Sequence, residues 1–164
     1  MTEEQYKRLS KPYRESKGMR RCLAAADALI TALIFLSYPV FLIYAVYNKS
    51  TPAFACDIMI PAVSFGFLSL FRRLYSAPRP YEVWDITPLL KKDTRGKSFP
   101  SRHVFSVFII GMTYFHTFHI LGAAVLLSGA ALACIRVIGG VHFPKDVAAG
   151  AAFGILFGLL FWVL

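Results

Sequence analysis

The sequence predicts an all-α fold, a polytopic membrane helical bundle of about five transmembrane helices. Three observations carry that expectation. Apolar residues make up 57% of the 164-residue chain. They gather into runs long enough to cross a hydrocarbon core of ~30 Å as helix. Short polar stretches rich in Pro, Gly and basic residues separate the runs.

The elements follow in order. Residues 1–21 are polar and mostly basic, and Tyr6, Leu9 and Tyr13 recur at helical spacing. This predicts a basic N-terminal interfacial segment, either an amphipathic helix or a frayed tail that sets orientation. No cleavable signal peptide is expected, because the run after this polar start is too long for a signal core. Residues 22–164 form a single expected transmembrane domain. Its first span runs from Cys22 to Tyr47 with only Asp27 charged, and NKSTP is a short turn. The second span covers about residues 53–75 and carries Arg72 and Arg73 near its end. A loop over 76–100 is rich in Pro and charge, with Tyr81 and Trp84 suited to the headgroup level.

A third span is expected over 101–118 and a fourth over 120–138, joined by the uncharged HTFH. Gly139-Gly140 breaks the pattern. The fifth span runs from Pro144 to Leu164, with Pro144 in a first turn where its missing N–H costs nothing. Gly150, Gly154 and Gly158 fall on one face, the small-residue pattern of close helix packing. Packing inside the bundle is the expected use, and a homo-oligomer is left open. Cys22, Cys56 and Cys134 are scattered and lack metal or disulfide spacing.

Counting spans places three polar pieces on the face that holds the N-terminus. That face carries every Lys and Arg except Lys49, which puts it in the cytoplasm of a cell membrane by the positive-inside rule. The net charge of +9 then points to anionic lipid or an anionic substrate and away from nucleic acid.

The pieces are RRLYSAPRP with Arg72 and Arg79, PSRH with Ser101, Arg102 and His103, and RVIGGVHFPKD with Arg136, His142 and Asp146. If the second helix persists to Pro78, Arg72 and Arg79 lie two turns apart on one face. Ser101 follows a proline and suits a helix N-cap, which leaves N–H groups at 102–104 for an anion. Asp146 is one helical turn from His142, within reach of its imidazole. Arginines present planar forks to phosphate oxygens. A His backed by a carboxylate keeps one nitrogen free as nucleophile or base, and a second His can protonate a leaving oxygen. Together they suit phosphoryl transfer in which arginines supply the charge stabilisation, with no metal or cofactor implied. His116 and His119 read as structural, and Arg73 and Lys91 as interfacial anchors.

These three pieces resemble the signature motifs of the type 2 phosphatidic acid phosphatase superfamily, which also includes vanadium haloperoxidases. The family pattern is Lys, six residues, Arg-Pro; then Pro-Ser-Gly-His; then Ser-Arg, five residues, His, three residues, Asp. This chain has Arg72 for Lys, Arg102 for Gly and Ile135 for Ser. The resemblance covers residues 72–146. It implies that His142 is a nucleophile forming a phosphohistidine, that Asp146 orients it and that His103 is the general acid. It also implies that Arg72, Arg79, Ser101 and Arg136 hold the phosphate. Arg102 either reaches a second phosphate of a diphosphate or points to lipid headgroups. Many similar members have six spans and a site outside the cytoplasm, against the charge bias here.

The expected function is therefore a metal-independent lipid phosphate phosphatase of the membrane. Candidate substrates are phosphatidic acid, phosphatidylglycerol phosphate and polyprenyl phosphates or diphosphates. Lys91, Lys92, Arg95 and Lys97 would draw in the headgroup. The alternatives are a phosphatase or phosphotransferase for a small soluble phosphate, or an inactive lipid-binding or transport protein.

Overall fold

The computed structural model describes residues 1–91 and 95–164. Lys92, one of the four basic residues expected to draw in a headgroup, lies outside the described residues. The described elements are helical: α1 (Glu3–Glu15), α2 (Lys17–Asn48), α3 (Thr51–Leu74), the short α4 (Pro80–Val83), α5 (Arg102–Thr117), α6 (His119–Ile138) and α7 (Pro144–Gly158). A 3₁₀ turn over Leu159–Trp162 extends α7.

Among the described residues four helices are long and apolar enough to cross a membrane: α2, α3, α6, and α7 with its 3₁₀ turn. The expected third span differs. α5 has 16 residues, about 24 Å of helix, and every residue from Val104 to Tyr114 is buried. It is the axial helix of the bundle, packed mainly against α6 and α7 and flanked by α2 and α3. Its apolar residues meet protein where the other helices meet lipid.

Lipid tails are as apolar as Leu, so the bundle is held by close packing and interhelical hydrogen bonds more than by the hydrophobic effect. The glycine face of α7 supplies the close packing, as expected inside the bundle. A Cβ on Gly150 would fall 2.6 Å from the Ser101 carbonyl oxygen, one on Gly154 2.6 Å from Phe108 Cβ, and one on Gly158 2.4 Å from Met112 Cβ. Hydrogen bonds gather toward the other end. Tyr114 donates to Ser37 Oγ at 2.8 Å, and Tyr38 donates to the Asp57 carbonyl at 2.5 Å. Lys49 Nζ donates to Asp57 Oδ2 and to Thr117 Oγ1, both at 2.7 Å. Lys49 is thus tied to a buried carboxylate. His116, at the same end, stacks on Phe161.

The N-terminal segment is a helix, not a frayed tail. Thr2 caps α1, its hydroxyl accepting from the Gln5 amide while the Gln5 side chain accepts from the Thr2 amide. α1 docks on the polar end of the bundle. Tyr6 and Ser10 are fully buried, and Arg14 donates to Ser10, to the Tyr6 hydroxyl and to the Thr87 carbonyl. α2 starts at Lys17, earlier than the expected Cys22, so Arg20 and Arg21 lie within its first turns.

Candidate active site

Five segments meet at the polar end of the bundle. α3 brings Arg72 in its last turn, buried at 3% exposure. The helix stops at Leu74, which corrects the expectation that it persists to Pro78. Arg79 therefore does not share a helix face with Arg72. It arrives on a non-helical stretch, where Pro78 disfavours helix in the residue before it. It still converges on the same place, donating from Nη1 to the Val141 carbonyl at 3.0 Å and from Nε to the Gly96 carbonyl at 3.2 Å. Glu82 ties this loop together, accepting from the Arg79 amide at 2.7 Å and the Gly96 amide at 2.9 Å.

The next segment, Gly96 to Ser101, wraps around Arg72. The guanidinium donates to the carbonyls of Lys97, Ser98 and Pro100. Gly96 and Lys97 are both left-handed, a conformation that a lysine adopts only when its surroundings impose it. The segment then enters α5 at Ser101. Ser101 occupies the N-cap position, but its side chain makes no capping bond. Its hydroxyl oxygen is buried and has no hydrogen-bond partner among the described residues. Its amide donates to the Asp146 carbonyl at 2.9 Å, which fixes the start of α5 to the first turn of α7. His103 is half-buried and Arg102 exposed.

α6 delivers Arg136 in its last turn. Asp27, the lone charge of the first expected span, lies 3.1 Å from Arg136 Nε. A carboxylate in an apolar run is costly without a partner, and that signal was readable in the sequence. Gly139 and Gly140 then turn the chain, Gly140 at a φ of 74°. A Cβ on Gly140 would lie 2.3 Å from the Tyr6 hydroxyl, so α1 rests directly on this turn. The ring of Trp84 bridges from Tyr6 to Phe143, at centroid distances of 5.9 and 5.0 Å.

His142 follows, 1% exposed, and Asp146 is fully buried one turn into α7. The expected direct contact is long, at 3.6 Å from Nδ1 to Oδ2. Ser98, which the sequence reading did not single out, lies between them. Its hydroxyl is 2.5 Å from Asp146 Oδ2 and 3.3 Å from His142 Nδ1. The Phe143 amide also donates to Asp146 Oδ2, at 2.9 Å. Burial pushes His142 below the ordinary imidazole range, and the charges of Arg79 and Arg136 push the same way against the opposing carboxylate of Asp146. These effects favour the neutral imidazole.

Arg102 and His103 line a cleft of about 170 Å³ together with Phe35, Phe65 and Ser106. The last three also line an apolar groove of about 330 Å³ between α2, α3 and α5. The cleft that holds one histidine thus opens along the bundle.

Comparison with known proteins places this geometry. The family profile of the PAP2 superfamily matches residues 53–164. The bacitracin transport permease protein BcrC of Bacillus licheniformis is 36% identical over 90 residues, covering 54% of this chain and 44% of that protein. The match thus spans less than half the length of that curated relative. The crystal structure of Aquifex aeolicus LpxE superposes with a TM-score of 0.75 at 20% identity, covering 98% of this chain and 94% of that one. The first transmembrane PAP2 type phosphatidylglycerolphosphate phosphatase from Bacillus subtilis superposes with a TM-score of 0.64 at 20% identity, covering 98% and 84%. These two likenesses are of fold. A helical membrane bundle with three motif segments gathered at one end, matched by this profile over most of its length, belongs to the PAP2 superfamily.

Proposed function

We propose that the chain is a lipid phosphate phosphatase that works through a phosphohistidine at His142 without a metal. The observation that carries this reading is the continuity between the His103 cleft and the apolar groove between α2 and α3. A substrate with a phosphate head and a long apolar tail fits that path, and a small soluble phosphate makes no use of it.

In this mechanism Arg79, Arg136 and Arg72 set a positive field at the phosphate. The partnerless Ser101 hydroxyl supplies a hydrogen bond. The Nε2 lone pair of neutral His142 attacks phosphorus. The N–P bond forms, the P–O bond to the lipid breaks, and the departing oxygen takes the proton of His103. A water then gives its proton to His103 as its oxygen bonds to phosphorus, the P–N bond breaks, and inorganic phosphate leaves. Candidate lipids are phosphatidic acid, phosphatidylglycerol phosphate and polyprenyl diphosphates. The basic end, including Lys91, Arg95 and Lys97, faces the cytoplasm in this reading.

The name of the Bacillus licheniformis relative favours a second reading, a transport protein. Against it, His103, His142 and Asp146 are all present. Phosphate release from a panel of lipid mono- and diphosphates, with chelator present and beside His142→Ala, tests the proposal. Chelator-resistant release that vanishes in the variant is expected. Release that requires metal, or no release from folded protein, would overturn it.

A further inference from the structure

We infer that Ser98 is a positioning residue for the nucleophile, joining His142 to Asp146 and fixing which imidazole nitrogen faces the phosphate. The inference rests on the proposed role of His142. Its basis is geometry. The direct gap from His142 Nδ1 to Asp146 Oδ2, 3.6 Å, exceeds hydrogen-bond length. The Ser98 hydroxyl spans it, at 2.5 Å and 3.3 Å from the two groups.

The direction of the bridge follows from counting hydrogens. An ionised carboxylate only accepts, and a serine hydroxyl has one hydrogen to give. The short contact assigns that hydrogen to Asp146. Ser98 Oγ is then an acceptor toward His142, so Nδ1 carries the proton. Nε2 is left bare, which is the state a nucleophile needs. When Nε2 takes phosphorus the ring becomes cationic, and the Nδ1–H···Oγ–H···Oδ2 chain stabilises that charge.

Ser98 is held for this task. It is fully buried. Its amide donates to the Ala77 carbonyl at 2.9 Å, and its carbonyl accepts from Arg72 Nη1 at 3.2 Å. Arg72 also grips the carbonyls of Lys97 and Pro100 on either side. In this structure Arg72 thus acts through the loop that aims Ser98. The charged groups around the imidazole are Asp146 on α7, Arg136 on α6 and Arg79 on the 76–100 loop. Both arginines oppose a second positive charge, so the acceptor at Nδ1 matters more.

The test compares Ser98→Ala and Ser98→Cys with wild type and His142→Ala, as full chains in detergent. The substrate is whichever of phosphatidic acid, phosphatidylglycerol phosphate or a polyprenyl diphosphate wild type releases fastest. In Ser98→Ala, kcat is expected to fall about 10- to 100-fold with KM within about twofold. The acid limb of its pH profile moves to lower pH, because the imidazolium has lost an acceptor. Ser98→Cys, with a weak donor of similar size, recovers part of kcat. Wild-type kcat and pH profile in Ser98→Ala would overturn the inference. So would loss of the fold in both variants, which would make Ser98 a structural strut. Activity retained by His142→Ala, or absent from wild type, would instead sink the underlying reading of the site and this role with it.

Discussion

Gly150 is the point where packing and chemistry share one contact, and replacing it with Ala exposes both. The added Cβ would sit 2.6 Å from the Ser101 carbonyl oxygen and 3.3 Å from the Phe105 amide nitrogen. Both neighbours are backbone, so no side chain can rotate away. Restoring ordinary contact at 3.4 Å needs α5 and α7 to part by about 0.8 Å. Overpacking of this kind costs about 1–3 kcal/mol. The same shift stretches the bond from the Ser101 amide to the Asp146 carbonyl, now 2.9 Å. That bond sets His103 and Ser101 on α5 against the His142 side of the site. A displacement approaching 1 Å lowers turnover by about 10- to 100-fold. The control is Gly66→Ala, where the new Cβ meets nothing within 4 Å and the helix gains a better helix former. The assay is a thermal melt in detergent beside kcat on a lipid phosphate. Gly150→Ala is expected to lose both stability and turnover, and Gly66→Ala neither. Equal behaviour of the two variants would refute the reasoning.

Three further outcomes are expected. His142 holds its proton less readily when folded than the ordinary 6.5. As pH falls through 6.5 the unfolded chain is protonated first and stability declines, while the folded site stays neutral, so the acid limb of kcat/KM lies below 6.5; a limb at or above that value contradicts the burial argument. Arg102→Gly lowers diphosphate turnover relative to monophosphate if Arg102 meets a second phosphate, and an unchanged ratio in paired assays removes that role. Lys49→Met strands the buried Asp57 carboxylate and costs about 3–5 kcal/mol, and pairing it with Asp57→Leu recovers most of the loss in a melt; kcat of the folded protein does not change, since this pair lies at the other end of the bundle.

Much of this was legible in the sequence because apolar length and polar interruptions obey simple geometry. The boundaries of α3, α6 and α7 followed from run length, and the gathering of Arg72, His103 and His142 at one end followed from counting spans. The four-residue glycine spacing of α7 announced its contact face. Three features were not legible. A helix that ends early still delivers Arg79, because a carbonyl on a distant turn holds its fork. Ser98 looks like any loop serine until the fold sets it between two residues over 40 positions away. The burial of α5 could not be read from composition, since a helix facing lipid and a helix facing protein draw on the same apolar residues.

The sheathing of α5 has a consequence for how the molecule comes into being. Synthesis runs from the N-terminus, so α5 is made before α6 and α7, the two helices that cover most of it. Until they arrive, the face of α5 that carries Phe108, Gly111 and Met112 has no protein wall around it. His103 waits at its tip without Arg136, His142 or Asp146. The candidate site is therefore the final feature of the bundle to close. On the proposed mechanism a chain halted before α7 lacks Asp146, and hydrolysis needs the glycine face of α7 seated against α5.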